Sequence, residues 1–415
     1  MKMFIVGGSM KKLWTKDFTL ITAGTIVSAI GGEAISLPVS LLVFDETGST
    51  FLSALLFIAG FVPDIVLSVL IAPLIDRSNK KNIIISIGFL MSALFFLAGF
   101  TVARREFSFS LYMIMMLILG VLSLIYRLAF SAWYPDLISP GLEQKGYAVS
   151  STIYPTVMIV MAPVAAFLYK TVPIDRIFIF MGAMLFVSTV LESFISVDNP
   201  KASGELTFAS YLEDFKSGFR FIREEKGLLN IYTYLGISNG VSIGNWLMYQ
   251  VYFQSTAALG VTLFGFLRSA ETLGRAIGGV LQYRLEVPTD RRYDLTKFVY
   301  TIYEVIDMSM LFMPYPFMLA GRFLCGILGV SSATIREAAV QSYLPREMRA
   351  RVNALTETYF SLAIVVFQFF AGWLGELMSY RTVVLIMGSF SLIGIIFLIV
   401  LPTEDNRKVY EATRV

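Results

Sequence analysis

Apolar residues in this chain gather into long blocks broken by short polar turns, and each block is long enough to span a bilayer. A bilayer-crossing helix needs about 20 consecutive, mostly apolar residues. Twelve blocks meet that length: 17–44, 50–75, 82–102, 108–134, 146–169, 174–195, 228–255, 260–284, 295–313, 315–342, 350–377 and 380–401. The breaks between them, the longest at 196–227, are too short to hold a soluble domain. The pattern predicts an all-α integral membrane protein with twelve transmembrane helices.

Composition points the same way. The 415 residues are 56% hydrophobic and 15% charged, against roughly a quarter charged in an ordinary soluble domain. The net charge of +3 says little by itself. The placement of the basic residues says more, because cytoplasmic loops of membrane proteins are enriched in Lys and Arg. With both termini on one side, that side carries 23 of the 33 Lys and Arg, while the opposite loops carry five: Arg104, Arg105, Lys170, Arg176 and Arg381. The bias predicts cytoplasmic termini. The remaining five, Arg127, Arg268, Arg275, Arg322 and Arg336, fall inside predicted spans. Residues 1–16 lack the long apolar region and small-residue cleavage site of a secretory signal and read as a retained tail. The single cysteine, Cys325, has no disulfide partner in the chain.

The chain also repeats itself. A shift of 210 residues lays span on span: Asp17–Phe44 falls on Gly227–Gln254, and the segment closing span four, Ala129–Pro135, falls on Ala339–Pro345. The expected organisation is a tail (1–16), a six-helix half (17–195), a linker (196–227), a second six-helix half (228–401) and a C-terminal tail (402–415). Two such parallel halves are one of the repeat plans of secondary transporters, with the substrate site between them near the midplane. In the linker, Tyr211, Leu212, Phe215, Phe219, Phe221 and Ile222 recur at helical spacing among charges, which predicts an amphipathic helix on the membrane surface.

After span two the chain reads Ala72-Pro-Leu-Ile-Asp76-Arg77-Ser-Asn-Lys80-Lys81, which resembles the G-x-L-x-D-R-x-x-R/K-K signature of the major facilitator superfamily. Pro345–Leu355 and Tyr211–Arg223 resemble the drug:proton antiporter-3 branch, which holds macrolide-efflux and enterobactin-exporter proteins. The resemblance runs from about Asp17 to Leu401 and implies two pseudo-symmetric six-helix halves working by alternating access. There are departures. Ala72 replaces the first glycine of the signature, Tyr283 stands where the second copy would carry aspartate, and the span-five antiporter segment is reduced to Met161-Ala-Pro163-Val-Ala-Ala166. Asp76, Arg77, Lys80 and Lys81, facing Asp136, are the cytoplasmic gate that the resemblance implies.

Ionisable groups inside a bilayer are costly, from about 3 to more than 10 kcal/mol when unpaired, so they are paired or used. Glu33 lies in span one beside Gly31 and Gly32 and is the first candidate for a proton carrier, with Asp64 and Glu271 behind it. Arg127 is expected to face Glu33 from span four. Asn239, Asn245, Trp246 and Tyr249 of span seven are candidate cavity residues, since ligand pockets are apolar and aromatic with a few polar groups; an interfacial aromatic belt is the competing role for Trp246 and Tyr249. Arg336 and Glu337 are further cavity candidates. Arg268 and Arg275 share a helix face with Glu271, and structural pairing of these arginines with Glu304 and Asp307 of span nine is expected.

No phosphate-binding loop of the G-x-x-x-x-G-K-[ST] type occurs, which argues against ATP-driven transport on this chain. With no histidine and one cysteine, a soft-metal site is disfavoured. The expectation is a monomeric inner-membrane transporter without cofactor or nucleic-acid partner, exporting a lipophilic or amphipathic molecule against protons, with sodium as the alternative ion. The rivals are a carrier of an anionic metabolite or lipid and a transport-inactive receptor or scaffold.

Overall fold

A computed structural model describes residues 12–76, 78–104, 106–197, 208–284 and 287–412. The N-terminal tail up to residue 11 and the gate residue Arg77 lie outside them. The chain folds into helices α1 (Lys16–Thr47), α2 (Thr50–Asp76), α3 (Lys80–Val102), α4 (Phe109–Trp133), α5 (Glu143–Thr171), α6 (Ile174–Ser193), α7 (Phe208–Glu224), α8 (Lys226–Ser255), α9 (Gly260–Arg284), α10 (Arg292–Ser309), α11 (Tyr315–Tyr343), α12 (Arg346–Leu377), α13 (Tyr380–Gly394) and α14 (Thr403–Tyr410). Local signals set several ends. Thr15 caps α1 by accepting from the Phe18 amide, Asn79 caps α3 through the Asn82 amide, and Gly48 leaves α1 with a φ of 64°, a value that favours glycine. A π-helical turn over Ile395–Val400 extends α13.

Among the described residues, nine helices are long and apolar enough to cross a membrane on length and composition. The three that fall short of the twelve expected spans are α8, α9 and α10. Their polar side chains, Asn245, Gln250, Glu271, Glu304 and Asp307, are buried inside the bundle instead of facing outward. A helix sheltered by its neighbours tolerates such groups where they find partners.

Helices α1 to α6 pack among themselves through the pairs α1/α6, α3/α6, α2/α4, α3/α4 and α1/α5. Raising each index by seven reproduces the pairs of the second bundle: α8/α13, α10/α13, α9/α11, α10/α11 and α8/α12. The bundles meet along α5/α9 and α2/α12, which exchange under the same operation. Helix α7 rests on α12 and α8 and touches α2. Its Gly218 lies against the Arg351 backbone and Ile222 enters the second bundle's core, while Lys216, Phe219, Arg220 and Arg223 remain exposed. The short α14 closes the same end, with Tyr410 buried and hydrogen-bonded to Tyr300 at 3.1 Å. Nearby, Lys297 and Arg407 hold the exposed Asp294 carboxyl below its usual range.

Candidate functional site

The two bundles are fastened at the end remote from the chain termini. Glu376, near the end of α12, accepts from the Ser49 hydroxyl at 2.6 Å, the Thr50 hydroxyl at 3.2 Å and the Phe51 amide at 2.9 Å. These donors form the start of α2 in the other half. Asp45 on α1 accepts from Tyr169 on α5 at 2.5 Å and from Gln254 on α8 at 2.8 Å, and Ser40 donates to Gln250 at 2.8 Å. Beneath these polar contacts lies a shared apolar cluster of Leu37, Leu41, Ala54 and Ala166 with Met248, Phe253, Phe264 and Ala371. The Ala-Pro-Val-Ala-Ala segment of α5 belongs to this seal. A Cβ on Gly265 of α9 would stand 2.7 Å from the Pro163 Cα, so the glycine is what lets the two helices touch. Ser269 donates to the Ile159 carbonyl at 2.7 Å one turn further along.

Towards the termini the side chains change character. Tyr147 and Tyr154 on α5, Arg127 on α4, Asn239 on α8 and Glu337 on α11 are exposed. Arg127, whose side chain is 61% exposed, forms a salt bridge with Asp64 on α2 at 2.5 Å. The expected Arg127–Glu33 facing is therefore replaced by an Arg127–Asp64 pair, because α4 packs on α2. Glu33 instead stands within electrostatic reach of Arg268, which comes from α9 in the other half, and of Tyr154, which lies beside Ser28. The carboxylate and its counter-charge thus belong to different bundles.

The second half also contains a buried ionic network. Arg322 on α11 is fully buried and donates to Asp307 on α10 and, at 3.2 Å, to Glu271 on α9. Arg275 grips the other Glu271 oxygen at 2.8 and 3.1 Å. Asn245 donates to Asp307 at 2.5 Å and the Tyr249 hydroxyl to the Asp307 carbonyl at 2.8 Å. The guanidinium carbon of Arg322 lies 4.7 Å from the ring centroids of Trp246 and Tyr249. Close helix approach makes this possible: a Cβ on Gly326 or Gly274 would run into the backbone of the facing helix.

Several expected roles change place accordingly. Asn245 and Tyr249, expected as cavity residues, are buried within the second half, with Trp246 partly buried against them. Glu271, expected as a proton carrier, is held by two arginines. Asp307 pairs with Arg322 and not with Arg268 or Arg275, whereas Glu304 takes hydroxyl partners: Ser238 at 2.7 Å, Ser391 at 2.6 Å and Tyr234 at 3.4 Å. Arg336 lies against Tyr300 and Tyr410. Glu337 accepts from Gln341 at 3.3 Å. Of the gate residues, Asp76 ends α2, Lys80 is buried at the start of α3, Lys81 donates to the Ile195 carbonyl at 2.6 Å, and Asp136 is exposed in the turn after α4.

Three groups escaped the reading of the sequence as functional candidates. Arg322 was legible only as one of five intramembrane arginines. Glu376 sits at a span end, where acids are common. Glu192, fully buried on α6, accepts from Tyr126 at 2.6 Å and Ser188 at 3.2 Å; the Ser188/Glu192 spacing of four was its one available signal.

Comparison with known proteins agrees with this architecture. The family described as Major Facilitator Superfamily matches residues 21–292 and 300–414. Macrolide efflux protein A of Streptococcus pyogenes is 22% identical over 363 residues, covering 85% of this chain and 88% of that protein. Among solved structures, a bacterial homologue of the iron transporter ferroportin in the inward-facing state aligns with a TM-score of 0.67 at 15% identity, covering 93% of this chain and 99% of that one. A bacterial homologue of the human lysosomal transporter Spinster, inward-facing and unoccupied, gives 0.65 at 13%, with coverages of 95% and 96%. At these identities the structures carry the fold alone.

Proposed function

For this chain, which belongs to the major facilitator superfamily, we propose proton-coupled export of a lipophilic or amphipathic small molecule by alternating access, with both termini in the cytoplasm. The membrane location and the transport class follow from the family; direction, ion and substrate are the proposal. The orientation draws on the 23-to-five distribution of basic residues. In that orientation the sealed end faces outward, and the reading has a cleft between the halves open to the cytoplasm.

One observation carries the reading: Glu33 on α1 of one half lies within electrostatic reach of its counter-charge, Arg268, on α9 of the other. A carboxylate whose partner rides on a moving body is tied to that body's position. Ionised, Glu33 draws α9 towards α1; protonated, it loses most of that attraction and the halves can part. A proton arriving from outside is released into the cytoplasm when the inward-open cleft admits water. The empty carboxylate is then available to a cationic or amphipathic substrate, with Tyr154 offering an aromatic face and a hydroxyl nearby. Asp64 and Arg127 form a polar wall that is neutral overall. At the cytoplasmic end Asp76, Arg77, Lys80, Lys81 and Asp136 act as the gate that closes when the outer seal opens. The 22% identical macrolide efflux protein supports an amphipathic drug-like cargo and export as the direction.

The anionic-metabolite alternative needs unmatched arginines in the cleft. Arg127 is matched by Asp64, Arg268 faces Glu33, and Arg336 lies against Tyr300 and Tyr410. The test is flux of a radiolabelled macrolide into inside-out proteoliposomes with an acidic lumen. The reading expects accumulation above the equilibrium level that collapses with a protonophore and is indifferent to a sodium gradient. Accumulation driven by sodium alone, or uptake of an organic anion in place of the macrolide, would replace it.

A further inference from the structure

We propose that Glu376 is the latch of the outer gate, a positioning residue that holds the halves together by capping helix α2 from the opposite bundle. The inference rests on the alternating-access reading and adds a site on the side away from the cytoplasmic gate.

The geometry is specific. Helix α2 starts at Thr50, and its first turn leaves backbone amides without intrahelical partners. Such an end is ordinarily capped by a neighbour in sequence, and Ser49 does this in part by accepting from the Leu52 amide at 3.0 Å. The Phe51 amide is taken by Glu376, 325 residues later in the chain. The same Glu376 oxygen receives the Ser49 and Thr50 hydroxyls, and Thr50 also donates to the Gly372 carbonyl of α12 at 2.7 Å. A carboxylate at a helix N-terminus gains from the aligned peptide dipoles as well as from the individual hydrogen bonds.

The contact is also well placed to break. Glu376 is exposed, so on separation its carboxylate and the freed donors pass into water at modest cost, unlike the buried Arg322 network. Close packing sets the register beneath it. Gly372 and Gly375 leave room for Ala54 and Thr50, and the edge of Phe51 meets Phe369 with centroids 5.3 Å apart. When α2 tilts away from α12 to open the outer side, the three hydrogen bonds to Glu376 must be given up together. Their combined strength therefore weights the balance between the two open states towards the outward-closed one.

The test uses the intact chain in liposomes with Cys325, which is buried, replaced by alanine. One cysteine reporter is then added per protein. Ala166→Cys lies in the outer seal, fully buried, and Ser151→Cys is exposed on α5 towards the opposite, cytoplasmic end. Labelling rates by a membrane-impermeant maleimide, applied from each side, are measured with and without Glu376→Ala. The expected result is reciprocal: about tenfold faster labelling at Ala166→Cys from outside, and slower labelling at Ser151→Cys from inside, with Glu376→Asp between the two. A merely structural loss would speed both reporters. Unchanged rates at both sites, or faster labelling at both, would overturn the latch. A wedge, Gly265→Leu, separates the two levels of the argument. If it exposes Ala166→Cys while Glu376→Ala does not, the latch fails and alternating access stands. If neither variant exposes it, the alternating-access reading fails with it.

Discussion

The two halves share one set of helix pairings and differ in what fills them. In the second half Arg322, Glu271 and Asp307 meet in the interior, joined by Asn245, Tyr249 and Arg275. Shifted back by 210 residues, those three positions are Tyr112, Phe61 and Leu97 in the first half. The first half's Arg127–Asp64 ion pair is partly exposed, with 61% of the arginine side chain accessible. Repetition of the fold therefore constrains how helices pack and leaves the polar chemistry free to differ. The second half buries its charged groups against one another, while the Arg127–Asp64 pair of the first half leaves the arginine side chain largely exposed. Both halves keep one common device, a buried carboxylate caged by hydroxyls: Glu192 with Tyr126 and Ser188, and Glu304 with Ser238 and Ser391.

Removing Arg322 should break the comparison most sharply. Arg322→Met leaves Asp307 and Glu271 buried with one partner fewer, and loss of one member of a buried ionic set costs about 3–5 kcal/mol. Thermal unfolding in detergent should show a large drop, whereas Tyr112→Phe at the matching position should change stability by less than about 1 kcal/mol. Equal effects would mean that the network does not distinguish the halves.

The hydroxyl cages come next. Glu304→Ala strands the Ser238 and Ser391 hydroxyls and should cost about 1–3 kcal/mol, and Glu192→Ala should cost a similar amount in the first half. Replacement by Gln, which keeps an acceptor, should recover most of the loss in each. Cost in one half alone would show that the two cages are not equivalent.

How far these differences were legible beforehand depends on the kind of contact. Span lengths and the 210-residue repeat are carried by local composition, and the helices follow them closely. The expected spans that fall short in length or apolar character, α8 to α10, are those whose polar groups are buried inside the bundle. The partners were not legible. Arg322 draws its acids from α9 and α10, and helical periodicity says which face a residue shares but not which helix that face meets. The same gap led Arg127 to be set opposite Glu33, and Asn245 and Tyr249 to be counted among the candidate cavity residues. Glu376 was invisible for a related reason, since its partners begin 327 residues away, at Ser49.

The smallest stability effect belongs to the cleft pair. Arg127→Ala removes a salt bridge whose arginine side chain is 61% exposed, and exposed pairs are worth about 0–1 kcal/mol. The unfolding temperature should barely move, while macrolide transport should fall severalfold because the cleft wall acquires the uncompensated charge of Asp64. An unaltered rate would place the pair outside the cargo's path.

The central claim is that Glu33 couples proton movement to the approach of the two halves. Its most direct test is Glu33→Gln, which fixes the side chain in a neutral form resembling the protonated acid, measured in proteoliposomes and normalised to folded protein. Substrate binding and exchange between equal pools should persist, while accumulation driven by an imposed proton gradient should fall to the level seen without a gradient. Undiminished gradient-driven accumulation by Glu33→Gln would contradict the account and remove Glu33 from the mechanism.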